Sequence, residues 1–143
     1  MIRRLTLVLS FAALIGCGNP GAAPTGAIPA RDGQGVVLCF AKRLSVWVQV
    51  RATPASRSEG WGSGVPAPVL VAYPTRGFNP VFTRNEGAVI AWIDGERIVQ
   101  TLRVPSDADH RSPVQEVTAA LVVPAGWDMG LAAGDSIRFV GAQ

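Results

Sequence analysis

The sequence predicts an all-β domain, a two-sheet antiparallel β-sandwich of about seven short strands, with a small β-barrel as the alternative packing. Three observations lead there. Short Val- and Ile-rich runs alternate apolar and polar residues with period two. Asp94-Gly95 stands between two such runs, as a hairpin turn would. Beyond residue 16 no long segment repeats apolar residues at helical spacing.

The strands follow in order. Residues 36–41 are a continuous apolar run, Val-Val-Leu-Cys-Phe-Ala. In residues 44–51, Leu44, Val46, Val48 and Val50 share one face, and Ser45, Gln49 and Arg51 share the other with Trp47 among them, the pattern of a half-buried strand. Residues 68–73 form the third. Residues 88–93 and 96–104 flank Asp94-Gly95, whose two positions suit the positive φ of a type I′ turn. Both faces of 88–93 are apolar, which places that strand centrally. Residues 114–123 and 136–140 complete the set, with Ile137 and Phe139 facing inward. Val104-Pro105 and Val123-Pro124 mark strand ends, because proline cannot donate to a ladder. Residues 125–134 have room for one helical turn, and residues 53–68 read as a long Gly, Ser and Pro loop. The layout is that of an immunoglobulin-like or transthyretin-like sandwich.

The N-terminus carries a different message. Arg3 and Arg4 precede an uncharged apolar run to Ile15, too short for a bilayer crossing of ~20 residues. A basic head, an apolar centre and a small-residue exit are the parts of a secretory signal. The exit, Leu14-Ile15-Gly16-Cys17, resembles the lipobox of bacterial lipoproteins. The resemblance implies a diacylglyceryl group on Cys17, cleavage between Gly16 and Cys17, and a lipid anchor in the cell envelope. Gly18 after the cysteine favours the outer over the inner membrane by analogy with enteric bacteria, with the domain facing the periplasm or the cell surface. Residues 17–33 then form the lipidated cysteine and a Gly, Pro and Ala tether, and residues 34–143 one folded domain.

Removing residues 1–16 takes away Arg3 and Arg4 and no acidic residue, so the formal charge falls from +3 to +1. A near-neutral domain makes no case for nucleic acid, which wants a clustered basic face. With Cys17 lipidated, Cys39 is the last thiol and is expected to be a small buried hydrophobe. With Cys17 unmodified, the two cysteines become a disulfide pair.

Sites of chemistry are sparse. Gly62-Ser63-Gly64 is followed by Pro66 and Pro68, which stop the helix a dinucleotide fingerprint must open. No cofactor motif is present. His110, with Asp107 and Asp109 beside it, is the weak candidate for a metal, but reads best as a polar turn. Trp47 and Trp92 belong to strand patterns and are expected in the core; Trp127 is expected over a sheet edge. Trp61, in the long loop near Arg57, is the candidate partner contact. Arg51, Arg97, Arg103 and Arg138 fall on expected solvent-facing positions.

Three functional readings follow. The first is a non-catalytic envelope lipoprotein that binds a protein or glycan. The second is a small envelope hydrolase using two of Glu59, Asp107, Asp109 and Glu116. The third is a phage- or prophage-encoded lipoprotein acting in exclusion or lysis. The single histidine and the lack of a nucleophile motif favour the first.

Overall fold

The structure, a computed structural model, describes residues 31–40, 44–59, 67–83, 87–105, 109–127 and 129–142. Their elements are β1 (Gly35–Phe40), β2 (Ser45–Arg51), α1 (Pro54–Ser58), β3 (Val69–Gly77), β4 (Val81–Thr83), β5 (Ala88–Asp94), β6 (Arg97–Val104), β7 (Asp109–Arg111), β8 (Val117–Pro124) and β9 (Ile137–Ala142). The described residues are all-β apart from one short helix.

Seven strands form one sheet in the order β6-β5-β8-β3-β2-β1-β9, and β4 pairs with β7 in a separate ribbon. The expected division of the seven strands into two packed sheets is therefore not what the pairing gives. All neighbours are antiparallel except β2 and β3, which run parallel with Val50 opposite Leu70. A parallel pair needs a crossover, and α1 lies within it.

The sheet curls into a half-barrel. Its two edge strands meet at one end, where Arg97 bridges Ser136. There Ile98 N–H donates to the Asp135 carbonyl at 2.9 Å, and Ile137 N–H to the Glu96 carbonyl at 2.7 Å. Register shifts at Val36/Val37, Ala72/Gly77 and Trp92/Ile93 supply the bends, since an extra residue on one strand increases local twist. The shift in β3 falls where Pro74 has no N–H to donate.

The concave face holds the main core. Val36, Leu38 and Phe40 of β1 meet Val48 and Val50 of β2, Leu70 of β3, Ile93 of β5, Leu121 of β8 and Phe139 of β9. Ala72, Ala91 and Ala119 lie on the same face of the central strands, and their small size leaves room for the curl. The opposite face of β3, β5 and β8 is also buried. There Val71, Ile90, Trp92 and Val122 pack with Val81 of the ribbon. Alternate residues of β5 thus enter two different cores, although β5 is an interior strand next to the edge strand β6 rather than the central one its two apolar faces predict.

Several details depart from expectation. Asp94 pairs with Arg97, so the hairpin loop is Gly95-Glu96, one residue later than Asp94-Gly95, with Gly95 at φ +64°. β8 starts at Val117 rather than 114. Residues 125–134 contain no helix among the described residues. Helix α1 stands where a loop was expected. His110 lies in strand β7 opposite Phe82, not in a turn.

Candidate functional site

The convex face of β1 and β2 is the part of the sheet that presents a large aromatic side chain to solvent. Alternation puts Val36, Leu38 and Phe40 inward and Gly35, Val37 and Cys39 outward. Across the ladder Val37 faces Trp47, which is 60% exposed. This corrects the expectation that Trp47 is core. The indole lies against the α-carbon of Gly35: a Cβ built there would stand 2.7 Å from Trp47 Cζ2 and 2.8 Å from Nε1. The missing side chain of Gly35 is what lets the ring pack against the sheet while much of it remains in water. Trp92, by contrast, is fully buried on the ribbon side of β5, and its Nε1 finds no acceptor among the described residues. Trp127 is 46% exposed, and its backbone N–H closes a turn onto the Pro124 carbonyl.

Beside this face the chain enters the domain. Gly33 N–H donates to the Val50 carbonyl, and Val50 N–H to the Gln34 carbonyl, both at 2.8 Å. Asp32 then fastens the entry to the β2–β3 crossover. Its Oδ1 accepts the Ala52 N–H at 2.7 Å and the Ser56 hydroxyl. The Ser56 hydroxyl, and next the Ala52 amide, hold the Asp32 carboxyl below the usual carboxylate range. Ser56 also completes the cap of α1. Thr53 Oγ1 accepts Ser56 N–H at 3.1 Å, and Ser56 Oγ accepts Thr53 N–H at 3.2 Å. The sequence signal was there: Thr at the cap, Pro at the first helical position, Ser three residues on.

Arg57, the other candidate partner contact, turns its guanidinium back onto the domain. Its guanidinium donates to the carbonyls of Ala52 and, at 3.4 Å, of Ala72, and sits 5.8 Å from the Tyr73 ring centroid. It ties α1 to β3. Tyr73 in turn donates to the Pro80 carbonyl at 2.8 Å, and burial pushes its phenol well above the ordinary value. Trp61, Asp107 and the lipidation positions Gly16 and Cys17 lie outside the described residues, and Asp109 is described in its backbone alone.

The remaining candidate acids are engaged separately. Glu59 pairs with Arg51 at 3.6 Å. Glu116 pairs with Arg76, which also grips Asp94 through two bonds of 2.9 Å. That guanidinium keeps the Asp94 carboxyl below its usual range. The His110 ring lies 4.8 Å from that of Phe82, tilted by 44°. No group of three or more metal-ligating side chains occurs among the described residues. Nor is any described helix long and apolar enough to cross a membrane.

Cys39 is buried, as expected, but it is not a thiol: its sulfur is disulfide-bonded. The chain has one other cysteine, Cys17.

No family model and no curated protein matches the chain. Two solved structures share the fold. A candidate transcription regulator from Sinorhizobium meliloti aligns with a TM-score of 0.58 at 16% identity, covering 79% of this chain and 98% of that one. A protein of unknown function from Novosphingobium aromaticivorans aligns with a TM-score of 0.60 at 15% identity, covering 84% and 98%. At these identities the likeness is one of fold. Since nearly the whole of each neighbour is matched, a fold of this size stands as an entire solved chain.

Proposed function

We propose that this protein is a lipid-anchored component of the bacterial cell envelope whose all-β domain binds a protein or glycan partner without catalysing a reaction. The observation that carries the proposal is Leu14-Ile15-Gly16-Cys17, placed between an apolar run with a basic head and a Gly- and Pro-rich tether. Acyl chains on Cys17 anchor firmly when there are two or more, each buried CH₂ contributing about 0.8 kcal/mol. Among the described residues, backbone bonds of Gly33 and Gln34 with Val50 join the start of the domain to β2. The exposed Trp47 supports a binding role. A half-exposed indole supported from behind offers a flat face that stacks on a sugar ring or a peptide. The ribbon over β3, β5 and β8 gives that half of the domain a sandwich-like layering. The regulatory role suggested for the Sinorhizobium neighbour belongs to that protein.

Fractionation of the full chain against Cys17→Ala tests the anchor. The wild type should sediment with membranes and be released by detergent but not by salt, while the variant should be lost from the detergent-dependent fraction. Wild type recovered in the soluble fraction would overturn the proposal.

A second reading rests on Cys39. A disulfide to Cys17 and a thioether on Cys17 exclude one another, because one thiol sulfur cannot carry both. An exported but unlipidated domain, closed by that disulfide, would migrate faster without reductant than with it.

A further inference from the structure

We infer that the two Asp-Gly pairs of the chain, Asp32-Gly33 and Asp94-Gly95, are latent isoaspartate sites, each held off from isomerising in the folded protein by its own local clamp. The inference is independent of how the chain is anchored.

The chemistry belongs to the dipeptide. The glycine backbone nitrogen attacks the aspartate Cγ and an N–Cγ bond forms. The carboxyl hydroxyl leaves with the amide proton as water. The resulting succinimide then takes up one water. Opening at the side-chain carbonyl restores aspartate. Opening at the main-chain carbonyl gives isoaspartate, of unchanged mass, with the backbone routed through Cβ. Glycine favours the attack because no Cβ shields its nitrogen. The fold needs both glycines, since Gly33 has φ +77° and Gly95 φ +64°, where other residues are strained.

At each pair the structure holds both reacting groups. Arg76 Nε and Nη2 donate to the two carboxylate oxygens of Asp94, each at 2.9 Å, a bidentate grip. Gly95 N–H donates to Thr118 Oγ1 at 3.1 Å, and that hydroxyl donates to the Ile93 carbonyl at 3.1 Å. Different residues do the same work at the chain entry. Asp32 Oδ1 accepts from the Ala52 N–H at 2.7 Å and from the Ser56 hydroxyl, while Gly33 N–H donates to the Val50 carbonyl at 2.8 Å. Carboxyl and amide must leave these partners before nitrogen and Cγ can meet. The same bonds favour the ionised carboxylate, whose oxygen is harder to expel than the hydroxyl of the neutral acid.

Both pairs sit at junctions. Asp94-Gly95 lies just before Glu96 and Ile98, whose backbone bonds with Ile137 and Asp135 bring the edge strands together. One extra backbone carbon at Asp94 throws those bonds out of register. Asp32-Gly33 stands where the chain entry joins β2 and the crossover.

The test ages the full chain at neutral pH over several weeks as wild type, Arg76→Ala and Ser56→Ala. Isoaspartate is quantified at each pair by electron-transfer fragmentation of reduced peptides, and wild type in guanidinium chloride gives the unclamped rate. Folded wild type should isomerise at both pairs about tenfold or more slowly than the unfolded chain, because reaction waits on local opening. Arg76→Ala should speed Asp94 several-fold and leave Asp32 at its wild-type rate; Ser56→Ala should do the reverse. A general loosening of the fold accelerates both pairs together, so the response at one pair alone separates a clamp from lost stability. Folded wild type reacting as fast as the unfolded chain would overturn the inference. So would variants that accelerate both pairs equally, or neither.

Discussion

Two tryptophans in strand patterns occupy opposite environments, and replacing each by alanine measures the difference. Trp92 is fully buried, so its removal forfeits the whole side chain and leaves a cavity between β5 and the ribbon. Trp→Ala at such sites costs about 3–5 kcal/mol. Trp47 is 60% exposed, leaving two-fifths of it covered. A buried aromatic removes up to about 250 Å² from water, so the covered part is about 100 Å² and accounts for at most about 2.5 kcal/mol at 25 cal/mol per Å². Residual burial in the unfolded chain lowers that to about 1–2 kcal/mol. For a domain of about 110 residues each kcal/mol moves Tm by about 4 °C, so the two variants should separate clearly. Far-UV circular dichroism in urea is the assay, because it does not depend on the indole being removed. Equal losses, or a larger loss for Trp47→Ala, would refute the assignment of Trp47 to the convex surface.

Further outcomes follow from the same contacts. Gly35→Ala should displace the Trp47 indole and raise its quenching by iodide, and in a double-mutant cycle with Trp47→Ala the cost of the alanine should largely vanish. Asp32→Asn should speed hydrogen exchange at the Ala52 amide and leave exchange in β5 and β8 unchanged, read by mass spectrometry. Asp94 and Asp32 both have folded-state values below 3.8. A carboxyl depressed on folding stabilises the fold above its unfolded value, and that contribution is lost as pH falls through the folded value. Stability should therefore drop below about pH 4, and Arg76→Ala should shrink that acid loss, with an effect that fades in high salt.

The strands were legible because burial of one face imposes period two on local sequence. Leu44, Val46, Val48 and Val50 do face the core or its rim, and the two apolar faces of residues 88–93 correspond to two real cores. The single curled sheet was not legible. Placing β8 between β5 and β3, and β9 beside β1, depends on contacts distant in sequence that no local pattern encodes. The ribbon leaves no local signal, because β4 and β7 have only three residues each. Asp-Gly is a strong turn signal that points to a hairpin one residue early, since Asp94 remains in the ladder, where its carboxylate accepts from Arg76. Alternation sets Trp47 on the polar face of its strand, and that pattern, not the general tendency of strand tryptophans to be core, decides its exposure. What the pattern could not supply was Gly35 across the ladder, which gives an outward indole something to rest on. The Thr53-to-Ser56 cap was readable, but the Gly, Ser and Pro around it gave the segment the composition of a loop.

The central claim is the anchor, and the most direct measurement is the N-terminal residue and intact mass of the protein extracted from membranes. The account predicts a chain beginning at Cys17 with acyl chains attached to that residue. A chain of the same preparation that begins elsewhere, or begins at Cys17 with no added mass, would contradict it.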